Sequence, residues 1–177
     1  MKTKIPKSKQ AIIDTFYELR QKKELDKITV TELCTLANIN KSTFYVYYHD
    51  ILDLTEQLET SLVQNMLHQI PFSQDIFTNA EKFTEDLFQA YQKKEKDIHI
   101  LFADVRQPLL PDRFAKEIKL FLFDKYPELQ NNPTINIQLS FAIYGAFFSY
   151  IENAYDTKFL IATISHLVSQ SVKTEEN

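Results

Sequence analysis

Glycine is nearly missing from this chain of 177 residues, in which Gly145 is the only example. Proteins contain about 7% glycine on average, and tight turns and phosphate-binding loops depend on its conformational freedom. Its scarcity argues against Rossmann and P-loop nucleotide sites. Few turn residues beside many Leu, Ile, Lys, Glu and Gln predict an all-α fold with short connections.

Disulfides and long apolar runs are missing as well. The single cysteine, Cys34, excludes an internal disulfide framework. No apolar run approaches the roughly 18 to 20 residues of a membrane span, and the first ten residues, MKTKIPKSKQ, lack the apolar centre of a secretory signal. We therefore expect a soluble cytoplasmic protein with no membrane partner.

Charge is distributed unevenly along the chain, whose formal net charge is −4. Residues 1–50 contain nine Lys or Arg and six Asp or Glu, whereas residues 51–177 contain eleven and eighteen. A basic segment followed by an acidic one predicts a domain boundary after Asp50 and a polyanionic partner for residues 1–50. Chance variation over fifty residues is the alternative.

Apolar periodicity and capping residues predict about nine helices. Thr29 with Glu32 forms a capping box, in which each side chain accepts a hydrogen bond from the backbone N–H of the other residue. Asn38 suits the left-handed conformation that ends a helix, and Asn40 can cap the next one. The predicted helices span about residues 8–22, 29–37, 41–48, 50–69, 78–93, 96–106, 112–126, 133–153 and 156–172.

Two short helices around a three-residue turn, at residues 29–48, match a helix-turn-helix. Short donors, phenols and one cation form the outward face of the second helix, at Lys41, Ser42, Thr43, Tyr45 and Tyr47. Such side chains donate to phosphate oxygens, so the pattern predicts contact with a DNA groove. The alternative is an ordinary polar helix surface whose aromatic rings pack on neighbouring elements.

The segment ITVTELCTLANINKSTFYVYYHDILDL resembles the DNA-binding signature of the TetR/AcrR family of transcriptional regulators. The resemblance covers about residues 8–58. It implies a helix-turn-helix DNA-binding domain at 1–50 and a helical domain at 51–177 for effector binding and dimerisation. It also implies operator contacts from Lys41, Thr43, Tyr45 and Tyr47, with Thr29 and Thr31 near phosphates.

Several positions depart from that signature. Asn38 occupies the turn position where the family usually has glycine. Ser42 occupies the position after the lysine, where the family often has glycine. Ile51 stands where the family commonly has a lysine, so one phosphate contact is missing, and Val46 replaces a frequent basic residue. A basic N-terminal arm of four lysines would compensate for the loss, namely Lys2, Lys4, Lys7 and Lys9.

Small residues recur at helical spacing on the last two predicted helices. They permit close approach of another helix, and Gly145 costs about 1 kcal/mol relative to Ala unless that approach offsets it. The strips predict a two-fold, four-helix homodimer interface, as the resembling family has, while packing within one chain is the alternative. The predicted interface residues are Ala142, Gly145, Ala146, Ser149, Ala162, Ser165 and Ser169.

The resemblance further implies a cavity for a small-molecule effector among the middle helices, lined by Phe102, Arg106, Tyr144 and Phe148. The four histidines have no metal-ligand spacing, and no nucleophile–base arrangement is present. We therefore expect no enzymatic activity, no metal and no cofactor.

The predicted function is a TetR-like regulator that binds a near-palindromic, double-stranded operator as a homodimer under effector control. The alternative is a dimeric interaction protein or activator partner with degenerate DNA binding.

Overall fold

The computed structural model describes residues 5–71 and 75–172, of which 81% are helical and none are in strands. The predicted all-α fold is confirmed. Over these residues the chain forms eight α-helices: α1 Lys7–Arg20, α2 Val30–Leu36, α3 Lys41–Tyr47, α4 Ile51–Leu67, α5 Ile76–Leu101, α6 Leu110–Lys125, α7 Pro133–Glu152 and α8 Thr157–Ser171. Short 3₁₀ turns lie at Leu25–Lys27, Asp104–Leu109 and Pro127–Leu129.

The predicted count of about nine helices is wrong by one in this described part. The separate helices expected at 78–93 and 96–106 are one helix, α5. No glycine or proline lies between Lys93 and Lys96, so nothing in the sequence interrupts the helical hydrogen bonds there. The first turn of α5 bends instead at Asn79, where the backbone leaves helical geometry and the side chain accepts from the Lys82 N–H.

The predicted caps around α2 and α3 are confirmed in part. Thr29 accepts a hydrogen bond from the Glu32 N–H at 3.2 Å, but the Glu32 carboxylate pairs with Lys23. Asn38 ends α2 in the left-handed region with φ of 51°. Asn40 occupies the cap position of α3, although its side chain makes no capping hydrogen bond.

The chain divides into two compact units. The first contains Met1–Ser61 and Lys96–Pro108, and the second contains Leu62–Glu95 and Leu109–Asn177. In the first unit, α1, α2 and α3 enclose a core around Phe16, Leu33 and Phe44, all fully buried. In the second unit, α6, α7 and α8 pack in sequence along the chain, with Leu122 and Leu139 fully buried.

Two buried arginines form ion pairs that link segment 96–108 to the rest of the first unit. Arg106 donates from Nε and Nη2 to the two carboxylate oxygens of Glu59, at 2.8 and 2.7 Å. Arg20 donates from Nη1 to Asp104 at 3.3 Å and to the Lys23 carbonyl at 2.9 Å. Buried charges need such partners, because an unpaired ion away from water is strongly unfavourable.

Candidate nucleic-acid interface

The exposed face of α3 contains no carboxylate and is polar except at Val46. Asn38 reverses the chain after α2, so α3 starts at Lys41 and places Phe44 in the core of the first unit. The opposite face is exposed to solvent. A helix turns 100° per residue, so the residues two positions before and two positions after Phe44 point away from the core. Ser42 and Val46 lie at the centre of that exposed face.

The structure places the seven predicted DNA-binding residues on α3 and on the first turn of α2. Lys41, Ser42 and Tyr45 are exposed, while Thr43 and Tyr47 are half-buried. Thr29 and Thr31 are exposed at the start of α2. Six of these seven residues carry a hydroxyl group, and the seventh is a lysine, so the surface is rich in donors that suit phosphate oxygens.

Tyr47 packs on α1 rather than pointing freely outward. Its hydroxyl lies 3.1 Å from Ser8 Oγ, and the Lys9 ammonium lies 5.9 Å from its ring centroid. Lys9 is also 5.5 Å from the Tyr48 ring. Burial, with the charge of Asp53 and the neighbouring Tyr47, raises the pKa of Tyr48 to about 12, so this ring stays neutral in the core. Tyr47 therefore positions a cation of α1 beside α3.

One cation of α1, Lys9, lies beside α3. Lys7 is exposed at the first position of α1, and Lys9 is half-buried against Tyr47. Lys2 and Lys4, the other two lysines of the predicted basic arm, lie outside the described residues. α3 itself contains Lys41 and no Asp or Glu. Two positions lack the basic residue that the family signature has there. Val46 is exposed on α3, and Ile51 is half-buried on α4.

A second candidate site is an apolar cavity inside the second unit, with a volume of about 60 Å³. No charged residue lines it. The hydroxyl groups of Thr84, Tyr91 and Tyr150 are its polar groups, and Thr84 already donates to the Ala80 carbonyl. The rest of the wall is aliphatic and aromatic, formed by Ile76, Phe83, Leu87, Phe88, Phe114, Ile118, Ala142, Ile143, Ala146, Phe147 and Val168.

None of the four residues predicted to bind an effector lines this cavity. Phe102 and Arg106 are buried in the first unit, where Arg106 is paired with Glu59. In the second unit, Tyr144 donates to Asp112 at 2.7 Å and Phe148 is exposed on α7. The wall is instead supplied by other aromatic residues of α5, α6 and α7, since helical periodicity turns positions 147 and 150 inward where 144 and 148 were expected.

The seven predicted interface residues divide into two groups. Ala142 and Ser165 are buried within the second unit, with Ala146 and Ser169 half-buried. Gly145, Ser149 and Ala162 are exposed. A β-carbon built on Gly145 meets no atom within 4 Å. The small residues on one side of α7 and α8 therefore pack within the chain, and those on the other side are exposed to solvent.

Large apolar side chains surround the exposed small residues of α7 and α8. Ile137 and Phe141 on α7 are 69% and 71% exposed, and Phe159 and Leu167 on α8 are both 60% exposed. We call this surface the α7/α8 face, formed by Ile137, Phe141, Gly145, Phe148, Ile151, Phe159, Ala162 and Leu167. The sequence of α7 is apolar around the whole helix, so no periodic signal could indicate which side remains exposed.

No protein family model matches this sequence, and no curated protein is found to be similar to it. Residues 5–71 and 75–172 contain no helix long and apolar enough to span a membrane. Within the same ranges, no three His, Cys, Asp or Glu side chains gather as a metal ion would require.

Proposed function

We propose that the chain is a TetR-like transcriptional regulator, which binds a near-palindromic DNA operator as a homodimer and responds to a small-molecule effector. The proposal rests chiefly on the exposed face of α3. Its exposed residues include Lys41, Ser42 and Tyr45, which can all bind phosphate, and the helix contains no carboxylate that would repel DNA. Lys9 of α1 adds positive charge beside Tyr47.

The α7/α8 face supports a homodimer. Contiguous apolar surface of this kind is unfavourable in water and is typical of protein interfaces. A two-fold axis lets one surface serve both subunits, because each residue then meets the same patch of its partner. A dimer also suits operator binding, since two α3 helices held at a fixed distance would enter successive major grooves.

The apolar wall of the second unit's cavity favours an uncharged, largely apolar effector, for which the present volume of about 60 Å³ would have to widen. An ion would lose its hydration there without gaining an opposite charge, because no charged side chain lines the wall. Nonpolar contacts would dominate the binding of such a molecule, because the cavity wall is almost entirely apolar and the Tyr150 hydroxyl already accepts a hydrogen bond from Gln92 at 3.3 Å. Native mass spectrometry of the purified protein, followed by denaturation and identification of any released small molecule, tests this part of the proposal.

DNA binding is tested by titrating the protein against a labelled duplex from the region upstream of its own gene. We expect binding that persists over nonspecific competitor DNA. The double variant Lys41→Ala/Tyr45→Ala should bind at least tenfold more weakly while keeping its helical circular dichroism and its oligomeric state. Both side chains are exposed, and the only ring contact of Tyr45 among the described residues is with Phe44 at 5.5 Å, so we expect the variant to fold.

The salt dependence separates a phosphate contact from a general charge effect. Lys41→Ala alone should lower the slope of log affinity against log salt by about 1, because one counterion fewer is released. Lys116→Ala, which removes an exposed lysine from α6 in the second unit, is the matched control and should leave the slope unchanged. Equal slopes for wild type and the Lys41 variant would show that Lys41 is away from the DNA backbone.

The rival function is a dimeric interaction protein whose helix-turn-helix no longer binds DNA. Exposed apolar side chains on the first unit motivate it, namely Leu36, Val46 and Leu52. The same titration decides between the two functions. A wild-type protein that retards no duplex even at low salt would support the interaction protein and contradict the regulator.

A further inference from the structure

The base-contacting potential of α3 is unusually restricted. Its sequence, KSTFYVY, contains no Arg, Asn, Gln, Asp or Glu. Bidentate hydrogen bonds to base edges come from Arg or Lys on guanine and from Asn or Gln on adenine, and Asp or Glu accepts from cytosine. Only Lys41 belongs to these types, and it occupies the first position of the helix. Bidentate recognition is therefore absent along the rest of α3, which leaves single hydrogen bonds from its Ser and Thr hydroxyls.

Val46 is the most exposed large apolar residue of α3, with 75% of its surface accessible. It lies one helical turn after Ser42, on the side opposite the buried Phe44. Valine is a poor helix former, so neither packing nor helix propensity accounts for it at this position. Contact with an apolar group on a partner would account for it. In the major groove of DNA, the only apolar group on a base edge is the C5-methyl of thymine.

We propose that Val46 is a specificity residue, which selects A·T base pairs by packing its methyl groups against the C5-methyl of thymine. This inference rests on the proposed function, because it requires α3 to enter a major groove. The cations on and beside α3 favour a polyanionic duplex as the occupant of this face, whereas an apolar protein groove would have to bury Lys41 and Ser42 beside Val46.

The experiment uses duplexes selected from a random library by the wild-type protein. Each thymine of one half-site is replaced by deoxyuridine, which removes the C5-methyl and leaves every hydrogen-bonding group in place. At one position, we expect the wild-type affinity to fall about fourfold, the factor that corresponds to one buried methyl group. Val46→Ala should bind the thymine and deoxyuridine duplexes equally, because its side chain no longer reaches the methyl.

The control is Val105→Ala, since Val105 is the same residue type, is 78% exposed and lies outside α3. That variant should keep the wild-type sensitivity to deoxyuridine. Val46→Ala is expected to fold, because the position is exposed and alanine favours helix.

The outcomes separate this inference from the proposed function. Selection of no duplex by the wild-type protein would contradict the regulator itself. Selection of a defined duplex without any thymine-sensitive position, or a Val46→Ala protein that keeps the full sensitivity, would overturn the role of Val46 while DNA binding stands.

Discussion

The two units expose surfaces of opposite character. On the first unit, the exposed face of α3 combines a cation and hydroxyl groups around Val46, and the charges that the unit buries are paired within it. On the second unit, α7 and α8 expose large apolar side chains beside small ones, and the interior contains a cavity without charge. A surface that folding leaves uncovered indicates the chemistry of what can cover it. Under the proposed function, a polyanion would cover the exposed face of α3 on the first unit, and an apolar partner would cover the α7/α8 face on the second.

The largest effect that we expect comes from the buried ion pair of the first unit. Glu59→Ala leaves the Arg106 guanidinium buried without its bidentate partner, and removal of one member of a buried pair costs about 3 to 5 kcal/mol. Urea denaturation followed by circular dichroism measures the free energy of unfolding. A loss this large would show that paired charge stabilises the unit that presents α3.

Glu56 provides the matched control for Glu59. Its carboxylate lies 3.7 Å from the same Arg106 guanidinium, but half of its side chain is exposed to solvent. Exposed ion pairs contribute little, so Glu56→Ala should cost less than about 1 kcal/mol. Equal losses for the two variants would contradict the distinction between a buried and a screened partner.

The second prediction concerns the α7/α8 face. Phe141→Glu places a charge on a surface that we expect to be buried between two subunits, so the dimer dissociation constant should rise about 100-fold or more. Leu120→Glu, an exposed leucine on α6, is the control and should leave dimerisation unchanged. Analytical ultracentrifugation at low micromolar concentration measures both variants. A Phe141→Glu protein that remains fully dimeric would remove this face from the interface.

The third prediction concerns Asp75, a buried carboxylate of the second unit. Burial opposes its ionisation, but hydrogen bonds from Lys125, from the backbone N–H groups of Thr78 and Phe77, and from the Tyr126 hydroxyl outweigh burial and hold its pKa below the ordinary value. Asp75→Asn should reduce the free energy of unfolding at pH 7 by about 2 to 3 kcal/mol.

The pH dependence of that loss follows from the sign of the shift. A carboxyl group with a depressed pKa in the folded state stabilises the fold fully above its unfolded pKa of about 3.9. The stabilisation disappears as the pH falls through the lower, folded pKa. The difference between wild type and Asp75→Asn should therefore be constant between pH 7 and pH 5 and shrink below pH 4. A difference that does not change with pH would show that packing, and not the charge of Asp75, is responsible.

Local signals in the sequence were sufficient for most of the fold. Asn38 adopts the predicted left-handed conformation, and Asn132 and Asp156 cap α7 and α8 through their side chains. These features depend on contacts a few residues apart, which a sequence displays directly. The helix count was wrong at 93–96, where a polar stretch was interpreted as a break although it contains no residue that breaks a helix.

Long-range features could not be predicted in the same way. The pairing of Arg106 with Glu59 joins residues 47 positions apart, and the arginine was expected in a cavity instead. Whether Ser165 or Ala162 is buried on α8 depends on which side of the helix meets α7, and small residues at both positions suit either arrangement. The exposed donors on α3 were predictable because one buried aromatic, Phe44, fixes the orientation of a short helix.

The smallest effect that we expect concerns Gly145, and it tests where the axis of the proposed dimer would lie. A β-carbon there meets no atom within 4 Å, so Ala should not disturb the isolated chain, and the exposure of the position lets a Leu side chain extend into solvent. Gly145→Ala should raise the melting temperature by about 2 to 4 °C, since it gains up to about 1 kcal/mol of helix propensity. Gly145→Leu should gain similar propensity and yet raise the dimer dissociation constant at least tenfold, because its larger side chain would separate helices that approach closely across the axis. Calorimetry and sedimentation of both variants give the two quantities. A Leu variant that is stable and still fully dimeric at low micromolar concentration would place Gly145 away from the closest approach, and the axis would then have to pass nearer to Phe141 or Phe159.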